Sequence, residues 1–492
     1  MRTSEAFFLP RKIIAIKLLL TLQSIDIKQG IAFAIQIRVY MQRIVIKKFG
    51  PIQSVDLIVK DYLIFIGPQA SGKSTMAKLI FFFFGIREIV NQFMSSYALL
   101  LQPSDKDDIF IDLRKRIRVR FMQLFGTTKH MTKFDICFYF SEELYISLGL
   151  DNKGFVSVQY SEGYRRKLVE IVSICQEYRD KNSEGLSLDT LENTLLQSSK
   201  RKFIQQLQLK VNELTAGDDS TPIYIPACRS LLATLSDYLN ILIDIRLDDH
   251  TKAVSDSTLD YSTRTFINHI MKLRNVFSQS LDDIIEEKKK LSESSLVIDK
   301  KNLAHVKSLS YKILKGEYRY CQNEERLYYN QNEYVKLSLS SSGQQEAVWI
   351  LQVIFSLILN RTKTTLIIEE PEAHLFPEAQ KVVMELVALF SNVNGNRVLI
   401  TTHSPYVLSS LNNLLYASQV GKKKTKQVSK IIPEYSWIED NRVGAYMLQN
   451  GELEDIVDVE LRQIQAERID GISSVINDEY EQLMMIENGH EE

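Results

Sequence analysis

Three short, uninterrupted apolar runs stand out along the chain: 63–66 in "YLIFIGPQASGKSTMAKLIFFFFG", 366–368 in "TTLIIEEPEAHLFPEAQ" and 398–400 in "GNRVLITTHSPYVL". Runs of this kind read as strands buried in a core. Elsewhere the pattern alternates. From Met41, "MQRIVIKKFGPIQSVDLIVKDYLIFIGP" reads as strand, turn at Gly50-Pro51 and second strand. "KFDICFYF", "ELYISLGL" and "GFVSVQY" give residues 110–160 the character of strands, with a turn at Asp151-Asn152-Lys153-Gly154. Residues 161–215 and 232–310 are rich in Glu, Lys, Leu, Ser and Gln and read as helices, with "SLDDIIEEKKKLSESS" as a solvated face. No heptad pattern lasts long enough for a coiled-coil arm. Between the helical stretches, "TPIYIPACRSLLATLS" suggests a short strand over 223–225, then Pro226 and a helix carrying Arg229. A surface salt bridge at the helix start is the plain reading of that arginine. After residue 415 come a solvated basic loop, "GKKKTKQ" at 421–427, a small β-hairpin in "WIEDNRVGAYMLQNGELEDIVD" and a final amphipathic helix.

The chain of 492 residues has room for two or three structural units. Its 45% hydrophobic and 25% charged residues are ordinary for a soluble globular protein. A net charge of −1 means that any nucleic-acid contact must come from a local patch. The four cysteines, Cys137, Cys175, Cys228 and Cys321, form no CxxC pair, which argues against a zinc site or a disulfide framework and fits a reducing cytosol. Near the start, "KIIAIKLLLTLQSI" resembles an export signal, but Lys17 breaks it, no small-residue cleavage site follows, and it is too short to span a bilayer. Residues 1–40 therefore read as an N-terminal extension or a mis-called start.

The run at 63–66 leads into Gly67-Pro68-Gln69-Ala70-Ser71-Gly72-Lys73-Ser74-Thr75, a GxxxxGK[ST] pattern followed by an apolar helix. Glycines let the backbone wrap until its N–H groups face phosphate oxygens. Lys73 reaches the β- and γ-phosphates of ATP, Ser74 offers its hydroxyl to Mg²⁺, and the helix N-terminus adds a positive dipole end. The phenylalanines at 81–84 read as helix core. The run at 366–368 ends in Glu369 and Glu370. Acids at the carboxyl end of a buried strand are costly unless they meet a cation or do chemistry. In a P-loop protein the first acid orients Mg²⁺ and the second can polarise the attacking water; Glu369 stands where Asp is usual. The third run ends in Thr401, Thr402, His403 and Ser404, which aims His403 at the same crevice, to contact the γ-phosphate or the attacking water. Finally, "LSLSSSGQQEAVWI" at 337–350 has a linker's composition but opens straight into an apolar helix. Its small residues allow close backbone approach, and Ser342-Gly343 open a helix whose N–H groups can face an anion.

Taken together, the P-loop, "SSSGQQE", "LIIEEPEAHLFPEAQ" and "ITTHSPYVL" resemble, in order and spacing, the ATPase heads of the ABC class, and within it the RecF/SMC/OLD-like AAA-family ATPases of bacterial anti-phage and DNA-repair systems. The resemblance covers roughly 41–85 and 335–415 well. It implies that Glu369 is the Walker B metal acid, Glu370 the catalytic glutamate and His403 the switch histidine. Ser341, Ser342, Gly343 and Gln344 then form the signature that meets a partner subunit's γ-phosphate, with Ser342 where the common pattern has a glycine. The "IPA-R-S" segment of such ATPases lies near the head, so Arg229 could touch phosphate or the partner.

The expected architecture is an α/β P-loop ABC-type ATPase head with a mixed sheet, an antiparallel edge sheet and a mostly helical insertion. Its parts are the extension 1–40, an N-lobe 41–160, a helical insertion 161–310, a C-lobe 311–415 and a C-terminal add-on 416–492. The expected function is a cytoplasmic ATPase that uses ATP and Mg²⁺, forms a homodimer or higher homo-oligomer through ATP, and controls an effector protein encoded nearby or a DNA transaction, without a membrane. The residues after Ser404 carry no acid triad of the TOPRIM kind, so no built-in nuclease is expected. A low-turnover, nucleotide-gated scaffold that sequesters a partner is the rival reading. A transporter subunit fits less well, because of the long insertion and "EEPEAHLFP".

Overall fold

The computed structural model describes residues 42–99, 106–128, 130–183, 190–235, 259–291 and 299–487. The extension expected at 1–40 lies outside the described residues.

An 11-stranded mixed sheet runs through the molecule. In chain order its strands are β1 (Arg43–Phe49), β2 (Ile52–Ile58), β3 (Tyr62–Ile66), β4 (Asp135–Tyr139), β5 (Tyr145–Leu150), β6 (Val156–Tyr160) and β7 (Thr221–Ile225). A separate antiparallel sheet holds β8 (Glu317–Cys321), β9 (Glu324–Tyr328) and β10 (Tyr334–Lys336). The large sheet resumes with β11 (Thr364–Glu369), β12 (Arg397–Thr401), β13 (Val443–Gln449) and β14 (Glu452–Asp455). Its spatial order is β6-β5-β4-β1-β2-β14-β13-β3-β12-β11-β7. The expected antiparallel edge is present: β2-β1-β4-β5-β6 pair antiparallel throughout. From β13 to β7 all neighbours are parallel.

The uninterrupted apolar runs follow from burial on both faces. Along β3, Tyr62, Ile64 and Ile66 join one core while Leu63 and Phe65 join the other; Leu366 and Ile368 of β11 likewise face away from Ile367. Helices Lys73–Phe84, Ile86–Leu99, Lys106–Phe125 and Glu162–Ser183 cover the first face. Helices Tyr261–Val276, Lys300–Leu314, Ser342–Asn360, Pro377–Ser391 and Pro405–Val428 cover the second. The four phenylalanines are core: Phe83 stacks on Phe138 with ring centroids 4.8 Å apart, and Phe82 meets Phe121 edge-on at 5.5 Å.

Three readings of the sequence are corrected by the fold. Residues 110–125, taken into a strand region, belong to the helix Lys106–Phe125. Arg114, Arg116, Arg118 and Arg120 alternate at a strand's period, but Ile109, Leu113, Ile117, Phe121 and Leu124 are buried at helical spacing. Within 161–310 the short strand expected at 223–225 is present as β7, and it is the edge strand of the large sheet, parallel to β11. The C-terminal hairpin is no add-on to the sheet: β13 pairs in parallel with β3, and β14 reaches β2, so the hairpin joins the antiparallel and parallel halves. Lastly, 421–427 is not a loop but the end of the helix Pro405–Val428. Leu411, Leu414, Leu415 and Ser418 carry a buried stripe as far as Gly421, with Lys424 outside helical geometry.

Gly421 lies so close to Trp437 that a Cβ would fall 2.2 Å from the ring. The indole is fixed by its Nε1–H, which donates to the Ile432 carbonyl at 2.9 Å. Gly421→Ala is expected to lower stability by about 1–3 kcal/mol through overpacking. A thermal unfolding midpoint equal to that of the wild type would show that Trp437 yields freely.

Candidate active site

The loop after β3 bends as phosphate cradles must. Gly67 has φ 141°, Ala70 φ 61° and Gly72 φ 109°. A Cβ on Gly67 would lie 2.2 Å from the Leu448 carbonyl oxygen, so the β13 strand presses directly on the cradle. Pro68, Gln69, Ala70 and Ser74 are exposed and Thr75 half-buried, whereas Ser71, Gly72 and Lys73 are buried. The Ser71 hydroxyl has no hydrogen-bond partner. Lys73 donates to the carbonyls of Gly67 at 2.9 Å and Pro68 at 2.8 Å. Burial pulls its ammonium below the usual lysine value, while Glu370, Glu372 and Glu369 push it back up.

Those three carboxylates come from the end of β11. Glu369 is buried; its Oε2 accepts from the Ala227 N–H at 3.3 Å, and its Oε1 has no partner. An unpartnered buried carboxylate oxygen, with the Ser74 hydroxyl at the start of the cradle helix, fits a hard cation that also takes phosphate and water oxygens. Glu370 turns the chain with φ 44°, fixed by its N–H donating to the Thr401 carbonyl at 2.9 Å. Its carboxylate stands 3.5 Å from His403 Nε2. Burial, with the Lys73 charge behind it, holds the imidazole below its ordinary value against the pull of Glu370.

Glu372 escaped the sequence reading, although "EEPEAH" offers it as a third acid. It is buried and accepts from the Thr402 hydroxyl at 2.6 Å and the His403 N–H at 2.9 Å. It thereby ties the β11 turn to the β12 turn; its other oxygen is unpartnered, and burial raises its pKa. Ser404 adds a second tie by donating to Gln380 at 2.6 Å.

Arg229 is not at the surface, which corrects the plain reading of that residue. It is wholly buried and paired with Glu346 at 3.0 Å. It donates to the backbone carbonyls of Pro226 at 2.8 Å, Glu369 at 2.6 Å and Glu370 at 2.9 Å. Glu346, missed as well, was marked only by being an acid directly before the apolar run "AVWILQV" of its helix.

At the serine stretch, Ser341 caps the helix Ser342–Asn360 in a reciprocal capping box with Gln344. Gln344 is occupied twice, since its Nε2 also donates to the Leu314 carbonyl at 2.6 Å. Ser341 and Ser342 remain exposed while Gly343 is buried. A Cβ at Gly343 would lie 2.7 Å from the His374 carbonyl, so the helix start packs against the turn that follows Glu370.

A phosphate cradle, paired acids and a facing histidine at the carboxyl ends of β3, β11 and β12 define a P-loop ATPase head of the ABC class. The AAA ATPase domain model matches residues 40–408, more than half of the sequence, and the chain belongs to that family. Among solved structures, the chain is similar to an SMC head bound to the C-winged helix domain of ScpA, at 12% identity over 85% of this chain and 97% of that one, with a TM-score of 0.36. It is similar also to the SMC head domain from Thermotoga maritima, at 10% identity over 85% and 99%, TM-score 0.33. A third is the Smc head with an extended coiled coil bound to the C-terminal domain of ScpA from Pyrococcus furiosus, at 13% identity over 89% and 99%, TM-score 0.33. No curated protein sequence matches the chain. Among the described residues no helix is long and apolar enough to cross a membrane.

The depressed pKa of His403 makes a linkage prediction. The unfolded chain binds this proton more readily than the folded one, so stability held above the ordinary value of 6.5 is lost as pH falls through the lower folded value. Between pH 7 and pH 5 the unfolding midpoint of the wild type should drop more steeply than that of His403→Gln. Parallel curves would show that His403 titrates alike in both states.

Proposed function

We propose that this protein binds and hydrolyses ATP as a head-to-tail dimer and uses the cycle to control a partner effector or a DNA transaction in the cytoplasm, in phage defence or DNA repair. The observation that carries the ATPase reading is the convergence of Lys73, Glu369, Glu370 and His403 at one sheet edge, with the Glu370 carboxylate 3.5 Å from His403 Nε2.

Lys73, Ser71 and the backbone of 67–74 bind the phosphates; Ser74 and Glu369 would hold Mg²⁺, which would neutralise phosphate charge. Glu370 orients a water for in-line attack and takes its proton, and His403 senses the γ-phosphate. Water attacks the γ-phosphorus, the bond to the β–γ bridging oxygen breaks, and ADP and phosphate leave.

Dimerisation is supported by the placement of the signature. Its helix covers the sheet face opposite the cradle helix, and the exposed Ser341 and Ser342 suit an anion brought by another copy. The exposed apolar side chains of Leu339 and Phe376 beside it suit a protein interface. The choice of effector or DNA rests on the family resemblance alone.

Glu370→Gln should retain ATP binding but slow hydrolysis by a factor on the order of 10² or more, so that an ATP-bound dimer accumulates in size-exclusion runs. Unchanged turnover would remove Glu370 from the role of base; no turnover in the wild type, with or without DNA, would favour a nucleotide-gated scaffold. Ser341→Arg should leave nucleotide binding by the monomer intact and block the ATP-dependent dimer. Assembly of that variant at wild-type ATP concentrations would refute the signature assignment.

A further inference from the structure

We propose that Arg229 and Glu346 form a buried strut through which the signature helix sets the position of the two Walker B acids, so that docking at the signature is felt at the same copy's own hydrolysis site. This deepens the ATPase reading and rests on it.

The strut has two ends. At one, Glu346 lies on the helix Ser342–Asn360, three residues after Gly343 and within the first turns behind the capping box. At the other, the guanidinium holds the carbonyls of Glu369 and Glu370. Between them the Arg229 Nε meets both the Glu346 carboxylate at 3.0 Å and its carbonyl at 3.2 Å. The Glu346 carboxylate is completed by the N–H groups of Arg229 at 3.2 Å and Ser230 at 2.9 Å. Neither residue is available to a ligand: Arg229 is 0% and Glu346 2% exposed.

Two features distinguish this from an ordinary buried ion pair. The arginine grips the acids by their backbone carbonyls and occupies neither carboxylate. The signature helix also touches the same turn a second time, where Gly343 packs under the His374 carbonyl. The signature helix is therefore linked to this turn at two places, through Glu346 and Arg229 at 369–370 and directly at His374. A shift of that helix moves Glu370, whose φ of 44° leaves it little slack. Only the planar fork of arginine serves four carbonyls and a carboxylate at once. Arg229 is thus a positioning residue, not a catalytic one.

The test compares the full chain with Arg229→Met/Glu346→Leu, which replaces the pair by apolar residues of similar volume, and with Arg229→Lys, which keeps the charge and loses the fork. Replacing both partners together avoids stranding a buried charge. For the double variant we expect kcat to fall roughly 100-fold, as for a misplaced reacting group, with KM for ATP changed less than about twofold. Amide exchange measured without nucleotide should rise in 366–376 and 338–346 together. Arg229→Lys should show the same split with a smaller fall in kcat. Should the double variant fail to fold, Arg229→Lys alone decides. A folded variant with wild-type kcat, or a rise in KM at constant kcat, overturns the strut; so does unchanged exchange in both segments. If the wild type itself does not hydrolyse ATP, the ATPase reading falls, and the exchange comparison still judges the strut.

Discussion

The parallel pairing of β3 with β12 on one side and β13 on the other is the constraint on which the rest of the molecule depends. Ile64 lies between Ile400 and Ala445, and Phe65 between Thr401 and Tyr446. These partners are remote in sequence, so closing the sheet costs chain entropy that only burial can offset. Burial is complete at the centre: Ile64, Ile66, Ile367, Ile368 and Ile400 are all inaccessible to water. Because the strands are parallel, their carboxyl ends share one edge. The loops leaving that edge carry Lys73, Glu370 and His403 to one place, and the His403 turn is locked by the Thr402 N–H donating to the Phe65 carbonyl at 3.0 Å.

What was legible in the sequence and what was not divides along the same line. The cradle, the paired acids and the histidine were readable because each sits at the end of a contiguous apolar run, and both the run and its polar end are local signals. The places of β7 and β13 were not, because sheet membership is decided by partners. "TPIYI" looks like an isolated strand until β11 covers it, and "VGAYMLQ" looks like half of a free hairpin until it meets β3. The alternating arginines of "RKRIRVR" carried the wrong period, since their aliphatic neighbours were buried on a helix. Arg229 was misjudged for the commonest reason: an arginine at a helix start is usually solvated, and nothing nearby announces a buried carboxylate more than 100 residues on.

Charge balance in the site follows from this arrangement. Burial, with the Glu370 charge nearby, holds the Glu372 carboxyl above its usual value. Lys73 and Arg229 both bring positive charge toward Glu369, Glu370 and Glu372, and Arg229 also holds the backbone carbonyls of Glu369 and Glu370. Glu372 is buried, as Glu369 is, and accepts hydrogen bonds from the Thr402 hydroxyl and the His403 N–H. The same carboxylate thus lowers the cost of its own burial and aligns the histidine backbone.

Glu370 shows most clearly what such a site demands of its residues. A left-handed φ of 44° is unfavourable for any side chain with a Cβ, by about 1–3 kcal/mol, and glycine would adopt it without cost. Glycine would bring no carboxylate. The strain persists because both peptide groups of the residue are held, the N–H by the Thr401 carbonyl and the carbonyl by the Arg229 guanidinium. Two hydrogen bonds to charged or buried partners, each worth on the order of 1–3 kcal/mol, are enough to offset that cost. A strained residue pinned on both sides has its backbone held in place, so its side chain starts from a fixed point beside His403. This is the property required of a base that must align one water, and it supports placing the chemistry at Glu370 and not at its less strained neighbours.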